Sequence, residues 1–306
     1  MIIACLVAAA VAAVPPLSSS DVVASHLAAA RGFGGIGAGT GTPDGRFLFT
    51  AEGAAIAILE PGRGNAPDRN FDKPLKKFEL GSMRPHVVRM ALDPEASLGD
   101  GSSLGKTGHP EYRNYLFLAA GHNGLWVVDA DVEPRRPNRI ARVDDSGDVP
   151  MFQTNARHCN DVDVATFGGE TFVVATFAAA GDSLLRFYPI DDVRAILGAS
   201  AQGAEETGRE IVPALSVPLG RYMEGTPFSA LSVGPNQISR SFASDLVVDQ
   251  GAPNAEELYV YVAMRTDGVA RVRVRRTEIV RGRIAPDAVV WGPRFGASSA
   301  SATLAP

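Results

Sequence analysis

The densest concentration of reactive side chains in this sequence is His158-Cys159-Asn160-Asp161, with Asp163 two residues further on. Imidazole, thiolate and carboxylate all bind borderline metals, but such sites need about four ligands and no second His/Cys cluster accompanies this one. The same residues suit a structural task, in which Asn160 and Asp161 tie down the turn that enters a strand. No metal and no cofactor is therefore expected. A second pattern is positional. Arg84-Pro85-His86, Arg157-His158 and Ser239-Arg240-Ser241 each stand shortly before an apolar run. Guanidinium forks match carboxylate and phosphate, so these residues point to anion capture. The candidate ligand-binding residues are Arg84, His86, Arg157, His158, Asp161 and Arg240, and the expected partner is a small anionic ligand or an acidic protein loop. Protonation of His86 and His158 below about pH 6.5 would strengthen such a patch. The alternative is a hydrolase or oxidoreductase that uses His86, His158 and nearby acids. No Ser-His-Asp set or glutamate pair assembles from local spacing, so no catalytic residue is assigned.

Three further motifs fail on context. Gly32-Phe33-Gly34-Gly35-Ile36-Gly37 spells a dinucleotide fingerprint, but no helix pattern follows to hold a pyrophosphate. Gly105-Lys106-Thr107 lacks the phosphate loop's first glycine, Asp100 standing in its place. Asp144-Asp145-Ser146-Gly147-Asp148 has oxygens for calcium but not the spacing or the bidentate glutamate of a known loop.

The elements that must position these residues are strands. Arg46–Ala51 leads through Glu52-Gly53 into Ala55–Leu59, and Tyr115–Ala120 leads through Gly121-His122-Asn123-Gly124 into Leu125–Asp129. Thr171–Thr176 precedes Leu184–Tyr188, and Leu258–Ala263 leads through Asp267-Gly268 into Val269–Val274. Each pair is a β-hairpin by its Val, Phe and Tyr content and its glycine turn. Four copies of one pattern make an internal repeat.

The flanks repeat as well. Polar runs follow the hairpins at Lys76–Leu80, Arg139–Val143, Glu210–Val212 and Glu278–Val280, as suits outer edge strands. Apolar inner strands precede three of them, at His86–Leu92, Asp161–Ala165 and Asp245–Val248. Inner strand, hairpin and polar outer strand make the four-stranded blade of a β-propeller. The expected fold is therefore all-β, a β-propeller with about four recognisable blades. The loop into each innermost strand would then sit at the mouth of the central channel, where the arginines recur. The first hairpin has only Gly32–Gly41 ahead of it, and Asp287–Trp291 reads as the start of another inner strand. Either Val289-Val290 closes a small ring as a seam strand, or the chain is a truncated arc of a larger propeller. One short helix is expected, with Asp191 capping Val193–Leu197 and Gly198 at its end.

Tyr115–Ala120, Gly124-Leu125-Trp126-Val127-Val128-Asp129 and the turn Glu133-Pro134-Arg135-Arg136-Pro137 resemble the repeat of the LVIVD-repeat propeller proteins. Asp161–Ala165 is similar to the inner strand that opens each repeat of that family. The resemblance is good over residues 86–145, moderate over 157–191 and 245–275, and poor before residue 45. It implies a propeller exported to, or displayed on, a bacterial surface, and no particular reaction.

Composition agrees with a turn-rich chain, since 32 glycines and 21 prolines stand among 306 residues. The formal charge of −5 gives no footprint for nucleic acid. Ile2–Val14 is an uncharged apolar run followed by Pro15-Pro16, too short to span a membrane and of the length of a secretory core. No other run is long enough to span. The expected organisation is a signal peptide at 1–20, a Gly-rich linker and entrance to the first blade at 21–45, a propeller at 46–294 and a flexible tail at 295–306. A secreted, periplasmic or cell-surface location follows. Beyond the leader only Cys159 remains of two cysteines, and a buried, inert thiol is expected there.

Overall fold

The computed structural model describes residues 38–42, 47–60, 74–81, 85–94, 115–130, 138–144, 158–178, 183–199, 211–219, 240–249, 251–252, 254–265, 269–285 and 288–291. Within them the strands form four antiparallel sheets of four, and each sheet runs in chain order. The first blade is β1 (Ala38–Gly41), β2 (Leu48–Glu52), β3 (Ala55–Leu59) and β4 (Lys76–Glu79). The second is β5 (Arg89–Leu92), β6 (Tyr115–Ala119), β7 (Leu125–Asp129) and β8 (Arg139–Asp144). The third is β9 (His158–Phe167), β10 (Glu170–Ala178), β11 (Leu184–Pro189) and β12 (Leu215–Pro218), with helix α1 (Ile190–Ala199) between its last two strands. The fourth is β13 (Arg240–Asp249), β14 (Glu257–Arg265), β15 (Val269–Arg275) and β16 (Val289–Trp291), with helix α2 (Arg276–Arg281) after β15. The first strand of each sheet packs beside the first strand of the next, β1 on β5, β5 on β9 and β9 on β13. Four-stranded meanders set side by side along their first strands are the architecture of a β-propeller.

One hydrophobic core fills each space between neighbouring blades. Phe49, Ile56 and Ile58 of the first blade meet Leu116, Leu118 and Trp126 of the second. Phe117, Leu125 and Val127, on the opposite face of the second blade, meet Val162, Val164 and Val173 of the third. Phe172, Val174 and Phe187 of the third meet Val248, Val260 and Val272 of the fourth. Period-two alternation therefore sorts the side chains of the middle strands of the second and third blades between two cores. Helix α1 fastens the second blade to the third from outside. Arg194 grips the buried Asp93 carboxylate with Nε and Nη2 at 2.8 and 2.7 Å, and Arg139 donates to the Leu197 carbonyl at 2.7 Å.

All four expected hairpins are present, as are the outer strands at Lys76 and Arg139. Four expectations need correction. The first blade has an inner strand after all, for Ala38–Gly41 pairs in register with Leu48–Ala51. The outer strand of the third blade is Leu215–Pro218 rather than Glu210–Val212. Residues 278–280 lie in α2, because the buried Glu278 accepts the Arg275 N–H at 2.8 Å, as a helix N-terminus requires. Val289–Trp291 is the outer strand of the fourth blade, paired with Ala270–Val272, and neither a seam strand nor the start of a new blade. The expected short helix exists but runs on through Gly198. The leader at 1–20 and the tail at 295–306 lie outside the described residues. Among the described residues no helix is long and apolar enough to cross a membrane.

Candidate functional site

An inner strand has a ladder partner on one side only, so alternate N–H groups of its backbone look away from its own sheet. On β13 the N–H groups of Leu246 and Val248 are bonded by carboxylates of the neighbouring blade. Asp161 Oδ2 accepts from Leu246 at 2.7 Å, and Asp163 accepts from Val248. The remaining oxygens turn back, Asp161 Oδ1 to the Val162 N–H and Asp163 Oδ1 to the Val164 N–H, each at 2.8 Å. Asn160 Nδ2 extends the seam by donating to the Ala243 carbonyl at 2.7 Å. Side chains on β9 thus stand where a further strand would pair, and they join the third blade to the fourth.

Beside this seam lies an ion pair that spans three blades. Arg89, first residue of β5, donates through Nη2 to Asp245 Oδ1 at 2.9 Å. It links the second blade to the fourth, and both side chains are half-exposed. Arg89, Asp161 and Asp245 occupy matching registers, paired respectively with Ala119, Thr176 and Ala263 on the second strand of each blade. Burial pushes the Asp161 carboxyl up from 3.8 to about 6, against the pull of its two backbone N–H partners and of the Arg89 charge. Burial likewise raises Asp163.

A second contact joins the neighbouring turn. Gly121, at φ 56° between β6 and β7, exchanges backbone hydrogen bonds of 2.9 and 2.8 Å with Cys159. This brings the exposed His122 ring edge-on to His158, with centroids 6.3 Å apart. Burial, then His122, lowers the His158 pKa. His158 therefore gains its charge further below neutrality than the sequence alone led us to expect. Cys159 is fully buried.

Of the six residues singled out in the sequence, the structure brings His158 and Asp161 together at the start of β9. Asn160 and Asp161 lie inside β9 rather than at a turn before it, and their side chains tie one blade to the next instead. His86 is exposed, three residues ahead of β5. Arg240 begins β13, paired in register with Arg265. Arg84 and Arg157 lie outside the described residues. Sequence reading missed Arg89, Asp245 and His122. The first two carried a signal, since a charge interrupts or opens an otherwise apolar inner-strand run in two different repeats. Among the described residues no three His, Cys, Asp or Glu side chains stand close enough together to hold a metal ion.

Fold and inner-strand cluster together define a β-propeller module. No family model matches the chain, and no curated protein matches it. Among solved structures it is similar to the Dos1 propeller, at 7% identity and a TM-score of 0.43 over 82% of this chain. A Bacteroides uniformis protein named as a candidate 6-phosphogluconolactonase is similar at 12% identity and a TM-score of 0.38 over 86% of this chain. The AfRom2 CNH domain follows at 12% identity and 0.31 over 85%. The chain spans 46% of the length of the first of these, 65% of the second and 73% of the third.

Proposed function

We propose that this chain is an exported propeller that binds a carboxylate- or phosphate-bearing ligand at the entrance of its inner strands, as a binding module. The observation that carries the reading is the Arg89–Asp245 pair, a half-exposed guanidinium held by a carboxylate from two blades away. A ligand's anionic group replaces Asp245 on Arg89 at little cost, because an exposed ion pair is worth only about 0–1 kcal/mol. In the sequence, Arg84, His86 and Arg157 stand just before the same inner strands and Arg240 opens one of them. The apolar leader and the resemblance to LVIVD-repeat proteins support export, to the periplasm, the cell surface or the medium.

Two carboxylates, Asp161 and Asp245, compete with the ligand near this guanidinium. Protonation of Asp161 below about pH 6 removes one of them, so anion affinity is expected to rise from pH 7 to pH 5 and to fall with added salt. Titration calorimetry with citrate, inorganic phosphate and an acidic peptide tests the reading and separates small-molecule from protein ligands. Arg89→Gln should weaken anion binding about tenfold or more, and Arg157→Gln with Arg240→Gln should add to the loss. Unchanged affinity in Arg89→Gln overturns the assignment.

A further inference from the structure

The fourth blade has one face in the core and the other in solvent. Leu246, Val248, Val260, Val262, Val272 and Val274 point into the core shared with the third blade. The alternate residues of the same strands form the outer face, and there the registers make rows. Val247, Tyr261, Arg271 and Val290 lie side by side across all four strands, and Asp249, Tyr259 and Arg273 make the next row. Read along the strands, the two rows carry Val247 and Asp249 on β13, Tyr261 and Tyr259 on β14 and Arg271 and Arg273 on β15. Val247 is 63% exposed, Tyr261 39% and Val290 42%, and these are three of the five exposed large hydrophobics among the described residues. The Arg271 guanidinium sits over the Tyr259 ring at 5.6 Å, which holds both side chains flat against the sheet.

We propose that this face is a homodimer interface, covered by the same face of a second copy. The acid Asp249 and the base Arg273, in one row on either side of β14, choose that occupant. A twofold axis along β14 lays β13 of one copy over β15 of the other, row for row. Asp249 then faces Arg273 twice over, Val247 faces the aliphatic stem of Arg271, and the tyrosines meet at the centre. An axis across the strands instead would set acids on acids and arginines on arginines, which is penalised. An isologous contact must be self-complementary, and this face is. Its aromatic, Arg-bearing composition is the one that carries binding energy in interfaces.

Sedimentation equilibrium of the full chain across the micromolar range tests the proposal. A salt-sensitive dimer is expected. Asp249→Arg alone and Arg273→Asp alone should each weaken it about tenfold or more, since each creates two like-charge contacts. Mixing the two variants in equal amounts should restore a dimer, because each reversed charge then faces its opposite in the other copy. Tyr261→Ser, which leaves the charges and the core alone, should also weaken it, with circular dichroism unchanged. A monomer at every concentration overturns the proposal. So does a dimer indifferent to both reversals, or a mixture no tighter than the single variants.

Discussion

The second and fourth blades share one topology, yet they are buried differently. Every residue of β6 and β7 is buried, odd positions in one core and even positions in the other. In β15 burial alternates between core and solvent. The sequences say why. Leu125-Trp126-Val127-Val128 is apolar at every step, as a strand covered on both faces must be. Ala270-Arg271-Val272-Arg273-Val274-Arg275 is apolar at every second step, the pattern of a strand with one face in a core. Period two alone does not distinguish the two cases, and the chemistry of the alternate residue does.

Substitutions in the second, third and fourth blades break or sharpen this contrast. Trp126→Ala removes a fully buried indole whose Nε1 donates to the Asn123 carbonyl at 2.8 Å, and it should cost about 3–5 kcal/mol in urea denaturation. An equal loss from Tyr261→Ala on the fourth blade would erase the distinction. Asp161→Ala strips the Leu246 and Val162 N–H groups of their shared acceptor, at about 1–3 kcal/mol. Here pH carries a sign. Folded Asp161 keeps its proton to a higher pH than the unfolded chain, so its stabilising contribution is full below pH 3.8 and is lost as pH rises through about 6. His158 works the other way, since its lowered pKa gives stability that is present above its unfolded value of 6.5 and is lost as pH falls through its folded one. Melting curves between pH 7 and 5 should therefore show Asp161→Asn losing the gain on acidification and His158→Gln losing the opposing decline. The smallest effect is expected from Tyr261→Ser on the isolated subunit, within about 0.5 kcal/mol, because that side chain leaves the core untouched.

The hairpins were legible because Val, Phe and Tyr alternate up to a glycine turn in all four. At the Phe167–Glu170 turn, Gly168 and Gly169 both take positive φ, as such a hairpin demands. Less legible were the strands at the margins of the blades. Ala38-Gly39-Thr40-Gly41 has almost no intrinsic preference for a strand, and it becomes one because the edge of β2 offers it a ladder. Glu278-Ile279-Val280 has strand composition, but capping by Glu278, two of whose oxygens take the Arg275 and Ala285 N–H groups, turns the segment into a helix. The site was legible only in part. His158 and Asp161 stood out as a local cluster. Arg89 and Asp245, 156 residues apart, meet only through the side-by-side packing of inner strands, which no local spacing reveals.

The two seams flanking the third blade differ in what they are made of. Toward the second blade, Gly121 and Cys159 are joined by main-chain atoms, with Gly121 at a φ of 56° that other residues adopt only with strain. Toward the fourth blade, the joint depends on the side chains of Asn160, Asp161 and Asp163. Substitution at any one of three side chains therefore loosens the joint to the fourth blade, whereas the joint to the second survives exchanges at 159 that keep its volume and is reinforced by Arg194 on Asp93. Mutational scanning of 160, 161 and 163 against 159 would show that inequality as a difference in tolerance.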